Sequence, residues 1–156
     1  MHYGKHEDSN NKTLGDIANV SFLIGKKSVM VIDTGSSPAI GKEIIKEIKK
    51  KTNKPISHLV ITHGHPDHFL GMSSFIKEKS IQKIIGHEKL SRSLILNFDF
   101  YQNQSLESTA DDSLNDAFLV LPNLTVESVI TLKINLGDRP IKIKAWRSGH
   151  TDNDLS

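Results

Sequence analysis

Four side chains of metal-ligand type fall within six residues, in the run His63-Gly64-His65-Pro66-Asp67-His68. The run leaves an apolar segment, Ile56 to Thr62, whose centre Leu59-Val60-Ile61 reads as a buried strand. His63 and His65 are two apart, so in extended backbone they point the same way. Two imidazole nitrogens can then share one ion at the roughly 2.0–2.1 Å of a zinc–nitrogen bond. Pro66 bends the chain and lets Asp67 and His68 turn toward a second point nearby. Gly64 lets backbone pass close to the site. A lone histidine is more often a surface or satisfied core residue. Three of them at positions 1, 3 and 6 of a loop leaving a buried strand do not fit that description.

The flanking pattern supplies the rest of an α/β frame. Val20 to Ile24 and Val29 to Ile32 are apolar runs separated by Gly25-Lys26-Lys27, which predicts a β-hairpin. The second run does not alternate, so it is expected to be buried on both faces. It exits through Asp33-Thr34-Gly35. Ser37 then Pro38 mark a helix start, and Ile40, Ile44, Ile45 and Ile48 share one face of that helix. Lys49, Lys50 and Lys51 close it and suit the negative end of its dipole. They read as a solvated helix end rather than a phosphate site.

A helix through Phe69, Met72, Phe75 and Ile76 follows the histidine run, then a strand at Ile81 to Ile85 and a helix from His87 to about Gln102. Gln102 to Ala117 is polar, with four acids and no base, and reads as a mobile loop or frayed helix end. Leu132, Ile134 and Leu136, then Ile141, Ile143 and Ala145, alternate with polar residues about a Gly137-Asp138-Arg139-Pro140 turn, a second hairpin with one wet and one dry face. The order β-β-α-β-α-β-α-β-β places helices on a sheet.

Composition removes several classes of function. Twenty basic against eighteen acidic residues leave a net charge of +2, too balanced for a general polyanion binder. Cysteine is absent, which excludes disulfides, thiolate metal sites and a cysteine nucleophile. No stretch approaches the roughly 18 apolar residues that span a bilayer, and the first eight residues lack the apolar core of a signal peptide. The expectation is one soluble domain with no nucleic-acid or membrane partner, and an unassigned compartment.

His63-x-His65-x-Asp67-His68 between a short apolar strand and a helix resembles the signature motif of the metallo-β-lactamase superfamily. Asp33-Thr34-Gly35 resembles that family's first motif, and Gly149-His150-Thr151 its third. The segments His6-Glu7-Asp8, Ile17-Ala18-Asn19-Val20, Val31 to Gly35, Thr62 to His68 and His150 to Leu155 are similar to the quinoprotein relay system zinc metallohydrolases within it.

The resemblance implies the N-terminal part of an αββα sandwich, with His63, His65 and His150 on one zinc and Asp67 and His68 belonging to a second. It implies a zinc-dependent hydrolase in which a hydroxide between the metals attacks a lactam, thioester, lactone or similar ester bond of a small molecule, with Asp67 ligating and directing the water. Asp33 is expected behind the ligands, fixing the loop or an imidazole tautomer, though an Asp there also serves simply to cap a turn. The resemblance is compatible with periplasmic export of a longer parent.

The family's second half brings a bridging Asp and a last His, and neither can be placed in residues 1–156. The expectation is therefore a single truncated domain with a polar lead-in at 1–16. It would hold one zinc tightly of the parent's two, and its uncovered hairpin face, Leu132, Ile134, Ile141 and Ile143, would favour self-association. The alternative is a non-catalytic metal-binding remnant. A ribonuclease Z-type nuclease, a diiron redox protein and a metal buffer rank below both. Of the other histidines, His58 reads as structural or exposed, and His87 and His6 as candidates for the cleft rim. His2 lies in the terminal segment.

Overall fold

The computed structural model describes residues 1–5, 10 and 12–156. Strands β1 (Ser21–Ile24), β2 (Val29–Ile32), β3 (Ile56–Val60), β4 (Lys83–His87) and β5 (Leu124–Val126) form one sheet in that spatial order. β1 pairs antiparallel with β2 as the first hairpin, and the remaining pairs are parallel. The crossovers carry the helices α1 (Pro38–Lys51), α2 (Pro66–Phe69), α3 (Met72–Ile76) and α4 (Leu90–Thr109). β6 (Thr131–Asn135) and β7 (Pro140–Lys144) form a separate antiparallel pair.

Side-chain alternation along each central strand divides the core in two. Val29, Val31, Leu59, Ile61 and Ile84 face the helices and pack with Ile44, Ile48, Phe69, Phe75, Leu90 and Leu94. Met30, Val60, Ile85 and Val126 face the other way, against Leu136, Ile143, Ala145 and Leu155. The non-alternating run Val29–Ile32 is thus covered on both sides, as parallel strands with helical crossovers require. Helices, five-stranded sheet and hairpin make three successive layers of the αββα arrangement.

Three expectations need correction. The hairpin face is not bare: Ile143 is buried, and Leu132, Ile134 and Ile141 are half-buried against the large sheet. The hairpin folds back and supplies the cover its own alternation calls for. The polar stretch after Gln102 is not a loop as a whole. α4 continues to Thr109, Ala110 ends it in left-handed conformation, and a 3-10 turn follows at Asp112–Asp116. Leu114 is buried beneath that turn, the Asp111 carboxylate caps it, and the Gln102 amide donates to the carbonyls of Leu114 and Ala117. One anchored leucine and a few caps order a segment whose composition reads as mobile. Finally, β4 runs through His87, where a helix was expected to begin.

Close approach of the chain at one glycine positions the ligand loop. A Cβ on Gly71 would lie 2.0 Å from the Thr34 carbonyl oxygen, so only glycine lets the end of α2 pack against the loop after β2.

Candidate metal centre

β3 ends at Val60, and the chain leaves the sheet carrying Thr62, His63 and His65 toward its C-terminal edge. His65 is the N-cap of the short helix α2, with Pro66 at its first position. This turn places Asp67 and His68 one helical step further on. His150 arrives from the far end of the chain, in the loop after β7.

His63 Nε2 lies 3.1 Å from His65 Nδ1, and His150 Nε2 lies 3.1 Å from the same atom. All three nitrogens fall within 4.8 Å of one another. Tetrahedral zinc with bonds of roughly 2.0–2.1 Å separates its ligand nitrogens by about 3.3 Å. Two of the three nitrogen pairs lie close to that spacing, so the three imidazoles could hold a metal ion. Asp67 Oδ2 and His68 Nε2 sit 3.3 Å apart beside them, and the rings of His63 and His68 are 4.1 Å centre to centre.

The support behind these ligands runs through Asp33, which is 3% exposed. Its Oδ1 accepts the Thr62 backbone N–H at 2.8 Å, and its Oδ2 accepts the Thr62 hydroxyl at 2.9 Å and His68 Nδ1–H at 2.8 Å. The Thr62 proton being committed to Asp33, its oxygen accepts His63 Nδ1–H at 3.0 Å. This network holds Nδ1 of both His63 and His68 from behind and turns each Nε2 toward the site, which fixes the tautomer of the neutral His63. Thr34 adds two bonds to the His68 carbonyl, from its N–H at 2.8 Å and its hydroxyl at 2.9 Å.

Electrostatics separate the imidazoles. Burial pushes His63 down to about 4, helped by the neighbouring His68 and His65, so it stands neutral as a ligand must. His65 is lowered too, by burial first and then by His150. Burial opposes the charged form of His68 as well, but the hydrogen bonds to Asp33 and Asp67 override it and raise it to about 10. Asp67 responds in the opposite sense. Burial raises it, and His68 more than compensates, leaving it below the ordinary carboxylate value. Without metal, Asp67 and His68 form an ion pair, and a second cation would have to displace the proton between them.

The family profile of the Metallo-beta-lactamase superfamily matches residues 14–147, a span that holds the whole His63–His68 run and its Asp33 support. The chain belongs to the metallo-β-lactamase superfamily. It is 27% identical over 112 residues to a linear primary-alkylsulfatase of Pseudomonas sp. (strain ATCC 19151), covering 72% of this chain and 18% of that protein. Its fold is similar to the stereoselective inverting sec-alkylsulfatase Pisa1 from Pseudomonas sp., with a TM-score of 0.66 at 16% identity over 88% of this chain and 26% of that one. It is also similar to BJP-1, a subclass B3 metallo-β-lactamase of Bradyrhizobium japonicum, with a TM-score of 0.61 at 20% identity over 87% of this chain and 48% of that one. This chain thus spans about a fifth of the curated alkylsulfatase and about half of the lactamase.

In this superfamily domain two supporting residues escaped the reading of the sequence. Thr62 is the relay between Asp33 and His63, and its only signal was its place directly before the first histidine. Asn153 is 3% exposed, and its Oδ1 accepts the Gly64 N–H at 2.9 Å, tying the His150 loop to the His63–His65 loop. Within the His150 loop, the Asp154 carboxylate accepts the Thr151 N–H and hydroxyl.

His87 does not rim the cleft. It is fully buried, with Nε2 within hydrogen-bond distance of the Trp146 carbonyl and the Ser128 hydroxyl, while Nδ1 accepts the Lys89 N–H. His58 is half-buried against the Ser57 hydroxyl, and His2 pairs with Asp16. His6 lies outside the described residues. No helix of the described residues is long and apolar enough to cross a membrane. Two open cavities border the metal loops: one of about 300 Å³ reaches Asp67 from beside Ser36, Gln104 and Ser105, and one of about 440 Å³ lies against the His150 loop.

Proposed function

We propose that this chain carries the first metal site of a zinc-dependent hydrolase acting on a small-molecule lactam, thioester, lactone or similar ester bond. The convergence of His63 Nε2, His65 Nδ1 and His150 Nε2 at zinc-ligand spacing supports this reading most strongly. Zinc in such a site lowers the pKa of water to roughly 7 and polarises the group under attack. His63, His65 and His150 would hold the ion, with Asp33 and Thr62 fixing the imidazole that needs its Nε2 free. Asp67, ionised and bordering the 300 Å³ cavity, would orient the attacking water and take its proton. The sulfatase relative adds a sulfate ester to the substrates worth testing.

Asp67 and His68 are two donors for a second ion, which favours one tightly held zinc per chain. That same observation gives weight to the alternative of a metal-binding remnant without turnover. Zinc content by elemental analysis, together with hydrolysis of a chromogenic cephalosporin, an acyl thioester, a lactone and an alkyl sulfate, separates the readings. Zinc with turnover supports the hydrolase. Zinc without turnover supports the remnant. Protein that takes up no zinc sinks both.

A further inference from the structure

One face of α4 borders the His150 side of the cluster. Lys89, Arg92, Ser93, Leu96 and Asn97 follow the i, i+3, i+4, i+7, i+8 spacing of a single helical face, and together with Asp152 they line the 440 Å³ cavity. Two cations face one carboxylate. Lys89 Nζ meets Asp152 Oδ2 at 3.7 Å, with both side chains about half exposed or more, so that pair is weak. The Arg92 guanidinium has no ion-pair or hydrogen-bond partner among the described residues, and neither has the Ser93 hydroxyl. The cavity thus gathers unspent donors and net positive charge.

Its position gives those donors a use. A Cβ on Gly64, between two of the zinc-ligand histidines, would sit 2.8 Å from Ser93 Oγ, so α4 touches the ligand loop at this point. Asp152 is two residues from His150. The cavity wall therefore adjoins the His63–His65 loop at Gly64 and the His150 loop at Asp152. Leu96, 68% exposed, offers an apolar wall next to the cations. With no further base lining the cavity and a chain nearly neutral overall, the feature suits one small anionic group rather than a polymer.

We propose that Arg92 and Lys89, with Ser93, form a subsite for the oxyanion group of an organic substrate whose apolar part lies on Leu96. The proposal rests on the hydrolase reading and adds the substrate's charge to it. Arg92 would grip the oxyanion through paired N–H donors, and Lys89 would exchange its weak contact with Asp152 for the ligand. The bond to be cleaved would be held toward the imidazoles, while the Asp67 cavity stays free.

The test is a titration of the isotope-labelled full chain, followed by backbone amide shifts, with butyl sulfate, pentanoate and uncharged 1-butanol. It is run with and without zinc, and zinc content is measured separately. Both anions, or one of them, are expected to shift Arg92, Ser93 and Asn97 saturably without zinc, and 1-butanol is not. Which anion binds tighter tells sulfate from carboxylate. Arg92→Gln is expected to weaken that binding about fivefold or more, while Lys46→Gln on α1 leaves it unchanged. Unaltered affinity in Arg92→Gln, an equal response to 1-butanol, or shifts confined to the histidine loops and lost with zinc would overturn the subsite. Because the zinc-free titration reads the cavity by itself, a chain that takes up no zinc refutes the hydrolase reading and not the anion site.

Discussion

At Asp33 the backbone sits at φ 65°, in the left-handed region that most residues avoid and Asp and Asn tolerate. The carboxylate placed there accepts from Thr62 twice and from His68 once. Asp33→Asn keeps the backbone preference and loses the charge, which isolates the electrostatic role. Zinc affinity is expected to fall about 10–100-fold in this variant, measured by competition with a chromophoric chelator. His65→Ala, which removes the nitrogen central to the triad, should leave zinc far below one per chain by elemental analysis; unchanged zinc would refute the ligand set.

The same residues set a pH dependence for the metal-free protein. His68 rises to about 10 from an ordinary 6.5, so the stability it contributes is whole below pH 6.5 and is lost as pH climbs through 10. His63 drops to about 4, so its contribution is present above pH 6.5 and is lost as pH falls through 4. The melting temperature with chelator present should therefore peak near pH 6.5 and decline on both sides, and Asp33→Asn should flatten the alkaline decline. A monotonic profile in differential scanning fluorimetry would contradict this.

Among the elements, the loop after β7 matters most, because it brings His150 to His65, 85 positions away in the chain. Its anchor is Asn153, whose amide oxygen receives the Gly64 N–H in a buried bond. Asn153→Ala leaves that N–H without a partner, at a cost of about 1–3 kcal/mol, and frees His150 from the other two ligands. Zinc binding is expected to weaken about tenfold or more while the far-ultraviolet circular dichroism stays unchanged. The 3-10 turn after α4 depends on one side chain in a similar way. Leu114 is 1% exposed, and Leu114→Ala should cost about 2–5 kcal/mol in chemical denaturation.

For the whole molecule, the hairpin covers the sheet, so exposed apolar surface lies elsewhere. Ile95, Leu96 and Phe100 on α4 are each more than half exposed, and Phe118, Leu119 and Leu121 add to the apolar surface beyond the 3-10 turn. Concentration-dependent self-association is expected by sedimentation, and Ile95→Ser with Phe100→Ser should reduce it, whereas a monomer at all concentrations would refute it. Because the triad is assembled only in the folded chain, zinc bound there would stabilise that state, and its removal by chelator should lower the melting temperature. Zinc held at 100 times its dissociation constant is worth about 2.7 kcal/mol.

The spacing of His63, His65, Asp67 and His68 after an apolar strand was enough to single out a candidate centre, since side-chain period and ligand chemistry are local properties. The doubly buried β2, the Ser37–Pro38 start of α1 and the alternating hairpin were legible for the same reason. The fate of residues 102–117 was not, because a buried leucine and an Asp cap outweigh a polar average only once α1 and α4 are in place. β5 was not either, being three residues that form a strand because β4 lies beside them. That His150 joins His65, 85 positions away, followed from the family resemblance and not from spacing; the burial of His87, the Thr62 relay and the cavity beneath Arg92 are properties of distance in space. Sequence periodicity carries no information about distance between segments that meet only when the sheet closes, and the tertiary structure alone decided them.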